Sequence, residues 1–165
     1  MMKRFVVMGV SGCGKSTVGA SLAAAIGGQF IDGDDLHPAA NVAKMAAGHP
    51  LNDNDRAPWL VKVGQALHGG TGPVVVGCSA LKCRYRDVIR QEADQPVIFV
   101  HLAGSRDILL ARMAARTGHF MPASLLDSQL AALEAPNKQE DAVTVNIDQT
   151  PDAILAQILR EIGNL

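Results

Sequence analysis

Residues 9–16 read Gly-Val-Ser-Gly-Cys-Gly-Lys-Ser and match G-x-x-x-x-G-K-[ST] in full. Residue types in this order can hold a nucleoside triphosphate. Gly9, Gly12 and Gly14 free the backbone to wrap a phosphate, and Ser11 and Cys13 add their N–H groups to the wall. A helix opening at Lys15 would aim its positive end at the same anion. Lys15 can reach the β- and γ-phosphates and the Ser16 hydroxyl can ligate Mg²⁺, with Thr17 next in the first turn.

Asp32-Gly33-Asp34-Asp35 supplies carboxylates at the expected end of the second strand, where ligands of open α/β sheets collect. One carboxylate can hold Mg²⁺ through water. Another can orient or deprotonate a substrate hydroxyl. Many P-loop proteins carry a further Asp after the third strand. Gly77-Cys78-Ser79-Ala80-Leu81-Lys82 has none, which moves the weight of metal binding onto Asp32.

Cations stand ready for anionic groups. Arg56 has the planar fork that suits a substrate carboxylate. Lys82, Arg84 and Arg86 are expected to touch substrate or to cover a helix surface. Arg112 and Arg116 lie four apart on one helix face before Gly118-His119-Phe120, as on a lid whose arginines neutralise a transferring phosphoryl group. The histidines and cysteines have no zinc-ligand spacing, and His101 and Trp59 read as core residues.

The elements that must position these groups alternate strand and helix. Arg4 to Met8, Gln29 to Ile31, Val74 to Val76, Val97 to Leu102 and Val143 to Ile147 read as strands. Helices are expected over 15–26, 38–47, from the Asp53-Asn54-Asp55 caps to Leu67 with Pro58 in the first turn, and over 82–93, 105–116, 123–133 and from Pro151 onward. Ile154, Leu155, Ile158, Leu159 and Ile162 form the expected buried stripe of the last helix. The pattern predicts a three-layer α/β fold, a parallel sheet covered on both faces.

Composition narrows the rest. The chain has 165 residues, one domain at about 150 residues each. A formal net charge of −1 argues against a nucleic-acid-binding module, which needs a basic footprint. Three cysteines cannot all pair, which fits a reducing cytoplasm. The apolar run Phe5 to Val10 is too short for a signal peptide, and no stretch reads as a membrane span.

The chain resembles the bacterial-type gluconokinases, small P-loop kinases acting on D-gluconate. The resemblance rests on residues 9–17, Asp-Gly-Asp-Asp-Leu-His-Pro at 32–38, Asn41, Lys44-Met45, Gly48, Pro50-Leu51, Asp53, Asp55-Arg56 and Pro58-Trp59-Leu60. Cys-Ser-Ala-Leu-Lys at 78–82, Tyr85-Arg86-Asp87, Gly-His-Phe-Met at 118–121, Leu126, Ser128-Gln129 and Leu133-Glu134 complete it. It implies a P-loop NTPase fold like the nucleoside monophosphate kinases, with a five-stranded parallel sheet, a substrate-binding helical region over 36–67 and a lid over 112–133. It also implies ATP and Mg²⁺ as cofactors, D-gluconate as the small-molecule partner, and a homodimer. Carried over, Asp34 approaches the acceptor hydroxyl, Asp32 and Ser16 the Mg²⁺, and Arg56 and Lys82 the substrate. His119 and Gln129 face the sugar acid, Arg116 is the lid arginine and Arg112 lies with the nucleotide. Cys13 departs from the usual Ser of the loop. Another small-molecule kinase of this scaffold, for shikimate or a nucleotide, is the competing reading. A GTP switch is more remote, since Asn137-Lys138-Gln139-Glu140 only approaches N-K-x-D.

Overall fold

The computed structural model describes residues 3–115 and 123–165. Five strands, β1 (Arg4–Met8), β2 (Gln29–Asp32), β3 (Val74–Gly77), β4 (Ile98–Ala103) and β5 (Ala142–Asn146), form one sheet. All pairs are parallel, in the order β2-β3-β1-β4-β5. The helices are α1 (Lys15–Ile26), α2 (Ala39–Ala46), α3 (Asp53–His68), α4 (Cys83–Ala93), α5 (Arg106–Ala115), α6 (Ala123–Ala132) and α7 (Pro151–Ile162).

Alternate strand residues feed two cores, as the pleat requires. Phe5 and Val7 of β1 join Val18 and Leu22 of α1, Leu109 of α5 and Ile154, Ile158 and Ile162 of α7. Val6 and Met8 join Trp59, Leu60, Val63 and Leu67 of α3 and Tyr85 and Ile89 of α4 on the other face. β1 and β3 are buried throughout. The edge strand β5 instead alternates, with Val143 and Val145 buried and Thr144 and Asn146 exposed. An edge strand with one covered face needs only a period-2 pattern.

Three local expectations change. Leu159 of α7 is 37% exposed, because it stands about 100° round the helix from Ile158 and off the buried line. The cap of α3 is Asn52, one residue before the acidic cluster; it exchanges hydrogen bonds with Asp55 in a capping box. That start puts Pro58 in the second turn of α3 rather than the first. The turn after β2 is a short 3₁₀ helix, Gly33–Leu36.

Register sets the active end. Asp32 of β2 pairs with Gly77 of β3, and Val7 of β1 pairs with the same Gly77. The segments that follow β1, β2 and β3 therefore emerge side by side at the carboxyl end of the sheet. The order reverses around β1, the crevice where open α/β sheets take ligands.

Candidate active site

The phosphate loop leaves β1 and is fastened at its start, where the Gly9 N–H donates to the Ser79 carbonyl at 3.2 Å. Gly9 has φ +147°, and a Cβ there would sit 2.9 Å from the Leu102 carbonyl oxygen. The Cys13 N–H closes the loop onto the Val10 carbonyl at 3.3 Å. Gly14 (φ +94°) turns the chain into α1 with no side chain to cap it, so the first N–H groups of α1 are left for an anion. The Lys15 ammonium donates to the Gly9 and Val10 carbonyls at 3.0 and 3.2 Å. The Ser11 N–H donates to the Gln129 carboxamide oxygen at 2.7 Å. Cys13 is buried, and its burial pushes the thiol up from its ordinary range.

Asp32 serves two neighbours. One oxygen accepts from the Asp34 N–H at 3.0 Å and caps the 3₁₀ turn, and the other lies 3.5 Å from the Ser16 hydroxyl. Ser16 and Asp32 thus offer two hard oxygens on facing elements, the donor type Mg²⁺ takes. After β3, where a carboxylate would be usual, stands buried Cys78, its thiol pushed up to about 12 by burial. Asp32, the register partner of Gly77, is the carboxylate one strand away.

Asp34 is exposed on the 3₁₀ turn. Trp59 fixes that turn from beneath, its indole N–H donating to the Gly33 carbonyl at 2.8 Å. His37 stacks on Trp59 at 4.1 Å between ring centroids. The buried Asn41 bridges the His37 ring, at 3.3 Å, and the Asp55 carbonyl, at 2.8 Å. His37 is lowered from the ordinary imidazole value, first by burial, with Asp34 opposing and Arg56 assisting. His37 therefore feels both the candidate base and the candidate carboxylate binder. Sequence reading gave it no role; its signal was its place directly after the acidic turn and before Pro38.

A cationic group lies on the α3–α4 side. The Arg56 and Arg84 guanidinium carbons stand 5.6 Å from the centre of the Tyr85 ring, and the Lys82 ammonium 6.0 Å. Tyr85 donates to Asp53 at 2.5 Å, Arg84 also bonds Asp53, and Arg56 lies 3.7 Å from it. The tyrosine hydroxyl first, then Arg84, Lys82 and Arg56, hold the Asp53 carboxyl below its usual range against partial desolvation. Three cations share this one carboxylate.

Arg86 does not touch substrate or cover a surface, as the sequence suggested; it is fully buried. It pairs with Glu140 and donates to the carbonyls of Ala80 and Glu134 at 2.8 and 2.9 Å. The near-miss guanine motif is thus occupied, with Glu140 bound to Arg86 and Arg90. Glu134 accepts from the Cys83 N–H and donates its own N–H to Leu81, gripping the segment that carries Lys82. Arg112 donates to the Ile147 carbonyl and lies close enough for its charge to act on Cys13. Arg116 and His119 lie outside the described residues.

A family model described as an AAA domain matches residues 5–136. Gluconokinase of Gluconobacter oxydans (strain 621H) is 48% identical over 159 residues, 94% of this chain and 88% of its own. The thermosensitive gluconokinase of Escherichia coli (strain K12) is 47% identical over 150 residues, 87% of this chain and 79% of its own. The crystal structure of a gluconokinase from Sinorhizobium meliloti 1021 superposes with a TM-score of 0.90 at 48% identity, covering 98% of this chain and 92% of that one. Shikimate kinase from Aquifex aeolicus vf5, at 15% identity and a TM-score of 0.62, shares the fold alone. With identity this high along nearly the whole length, this chain carries an AAA-type domain and belongs to the gluconokinase family.

Proposed function

We propose that this chain transfers the γ-phosphoryl group of ATP to the 6-hydroxyl of D-gluconate, giving 6-phospho-D-gluconate and ADP. The observation that carries the site assignment is a chain of contacts leading away from the phosphate loop. Ser16 lies 3.5 Å from Asp32, Asp32 caps the turn that bears Asp34, Trp59 of α3 holds that turn through the Gly33 carbonyl, and Arg56 of the same helix adjoins the Lys82–Arg84–Tyr85 group. A phosphate-binding end, a carboxylate and a carboxylate-binding end thus follow one another, as a sugar acid with a terminal hydroxyl requires.

Gly9 to Thr17 hold the triphosphate, with Lys15 on the β- and γ-phosphates. Asp34 takes or orients the proton of the 6-hydroxyl, whose oxygen attacks the γ-phosphorus as its bond to the β,γ-bridging oxygen breaks. Arg56 and Lys82 bind the acceptor carboxylate. Ser16 and Asp32 would hold Mg²⁺, which when bound offsets phosphate charge. Residues 36–67 are assigned to the acceptor and residues 112–133 to the lid. The roles of Arg112, Arg116 and His119 rest on the family resemblance, as does a homodimer. The free thiols Cys13, Cys78 and Cys83 support a cytoplasmic setting.

The test is ADP release from ATP and Mg²⁺ by purified protein, with D-gluconate beside its epimers, shikimate and nucleoside monophosphates. Release that depends on gluconate alone is expected. Release driven only by another acceptor keeps the kinase and overturns the substrate.

A further inference from the structure

We propose that Glu134 is a positioning residue for the acceptor: it fixes the backbone on which Lys82 stands, and so sets how well the chain binds the acceptor carboxylate. The proposal rests on the reading above that Lys82 touches that carboxylate.

Lys82 occupies the N-cap of α4, and its side chain makes no cap hydrogen bond. An ammonium has no acceptor to offer the free N–H groups of a first turn. A lysine here therefore gives up the local cap that Ser, Thr, Asp or Asn would supply. Glu134 replaces it from 51 residues away, its carboxylate accepting from the Cys83 N–H at 2.9 Å. A negative charge also suits the positive end of α4. With the cap brought in from a distant segment, position 82 is free to carry a cation. The Lys82 ammonium stands 6.0 Å from the centre of the Tyr85 ring, which Arg56 and Arg84 also approach.

The backbone of Glu134 holds the same stretch. Its N–H donates to the Leu81 carbonyl at 2.7 Å, and its carbonyl accepts from Arg86 at 2.9 Å. Leu81, Cys83 and Arg86 are thus all tied to Glu134, on both sides of Lys82. The preceding residues are fastened independently: the Ser79 carbonyl accepts from Gly9 and the Ala80 carbonyl from Arg86. Ala80 has φ +45°, a left-handed conformation that a residue other than glycine keeps only where its surroundings impose it. The Glu134 carboxylate therefore governs the Lys82–Cys83 end alone, and the end nearer the phosphate loop stays fixed without it. Glu134 is exposed, so removing its carboxylate strands no buried charge.

The test is steady-state kinetics of the full chain carrying Glu134→Ala, Glu134→Gln, Lys82→Met, or Glu134→Ala together with Lys82→Met. Lys82→Met is expected to raise KM for gluconate about 10–100-fold. Glu134→Ala is expected to raise it about three- to tenfold, with kcat and KM for ATP within about twofold. Its melting temperature should fall by about 2–4 °C, as for a lost helix cap. Glu134→Gln keeps an oxygen that accepts from Cys83, so its KM should return to within about twofold of wild type. In the double variant Glu134→Ala should add nothing to Lys82→Met, because the group it positions is gone. A residue that only stabilises the fold would lower the melting temperature and leave KM for gluconate where it was. One that touches gluconate itself would act equally with and without Lys82. Either result, or a Glu134→Gln as impaired as Glu134→Ala, overturns this proposal alone. A KM for gluconate unmoved by Lys82→Met overturns the reading of Lys82 and this proposal with it, as does a wild-type chain without gluconate-dependent turnover.

Discussion

Arg86 and Glu140 form an ion pair at 2.7 Å in which the guanidinium is wholly out of solvent and the carboxylate side chain is 6% exposed. The same guanidinium holds the Ala80 and Glu134 carbonyls, so it fastens the segment carrying Lys82 to the chain that follows α6. Removing one partner strands the other. Glu140→Ala is expected to cost about 3–5 kcal/mol by leaving a buried charge uncompensated. Urea unfolding checks this, and a loss below about 1 kcal/mol would show the pair to be well solvated.

The pair also writes a pH dependence. Burial pushes the Glu140 carboxyl up, but the hydrogen bonds from Arg86 and Arg90 outweigh it and bring the carboxyl from 4.5 down to about 2. A carboxyl depressed in the folded state stabilises above its unfolded value. That contribution is full above about pH 4.5 and fades as pH falls toward 2. Unfolding free energies of wild type and Glu140→Gln, followed from pH 6 to pH 2.5, are expected to converge. A constant gap would contradict the depressed value.

Lys15 and Asp34 are expected to separate in kinetics. Lys15→Ala removes a cation that binds the ground-state phosphates and acts more strongly on the charge that develops in the transition state. It should lower kcat by about 10²–10³-fold and weaken ATP as well. Asp34→Asn should lower kcat by about 10²–10⁴-fold with little change in KM for ATP. Unchanged turnover of Asp34→Asn would remove Asp34 from proton transfer.

Much of this was legible in the residues, for identifiable reasons. The phosphate loop is contiguous, so its whole chemistry sits in eight adjacent residues. The strands of the sheet interior announce themselves by burial on both faces. What escaped depends on contacts distant in sequence. Arg86 looks like any helix-surface arginine until Glu140, 54 residues away, is brought to it. The tie from Gln129 to Ser11 has no local signature, and the Asn52 cap was masked by a denser acidic cluster one residue later.

The cations around Tyr85 predict an acceptor-specific defect. Tyr85→Phe removes the hydroxyl that donates to Asp53 while keeping the ring against which Arg56, Lys82 and Arg84 rest. Asp53 then draws more strongly on the arginines. KM for gluconate should rise about 3–10-fold, with KM for ATP unchanged. Arg56→Lys should do more, about 10–100-fold, because an ammonium cannot present the planar fork. Equal effects on both substrates would place this cluster outside the acceptor site.

Trp59 is the only tryptophan, so its emission reports on His37 without interference. The two rings stack at 4.1 Å, and an imidazolium in that position quenches indole fluorescence. Burial first, then Arg56, lowers His37 below 6.5, with Asp34 opposing. Emission should therefore fall on acidification with a midpoint below pH 6.5, and His37→Ala should abolish the transition. With the acceptor carboxylate on Arg56, as proposed, a bound sugar acid offsets the charge that disfavours imidazolium. Gluconate is thus expected to move the midpoint upward. A midpoint that ignores saturating gluconate would mean that the acceptor does not approach the His37–Arg56 side of the turn, and the carboxylate would then have to be held by other cations.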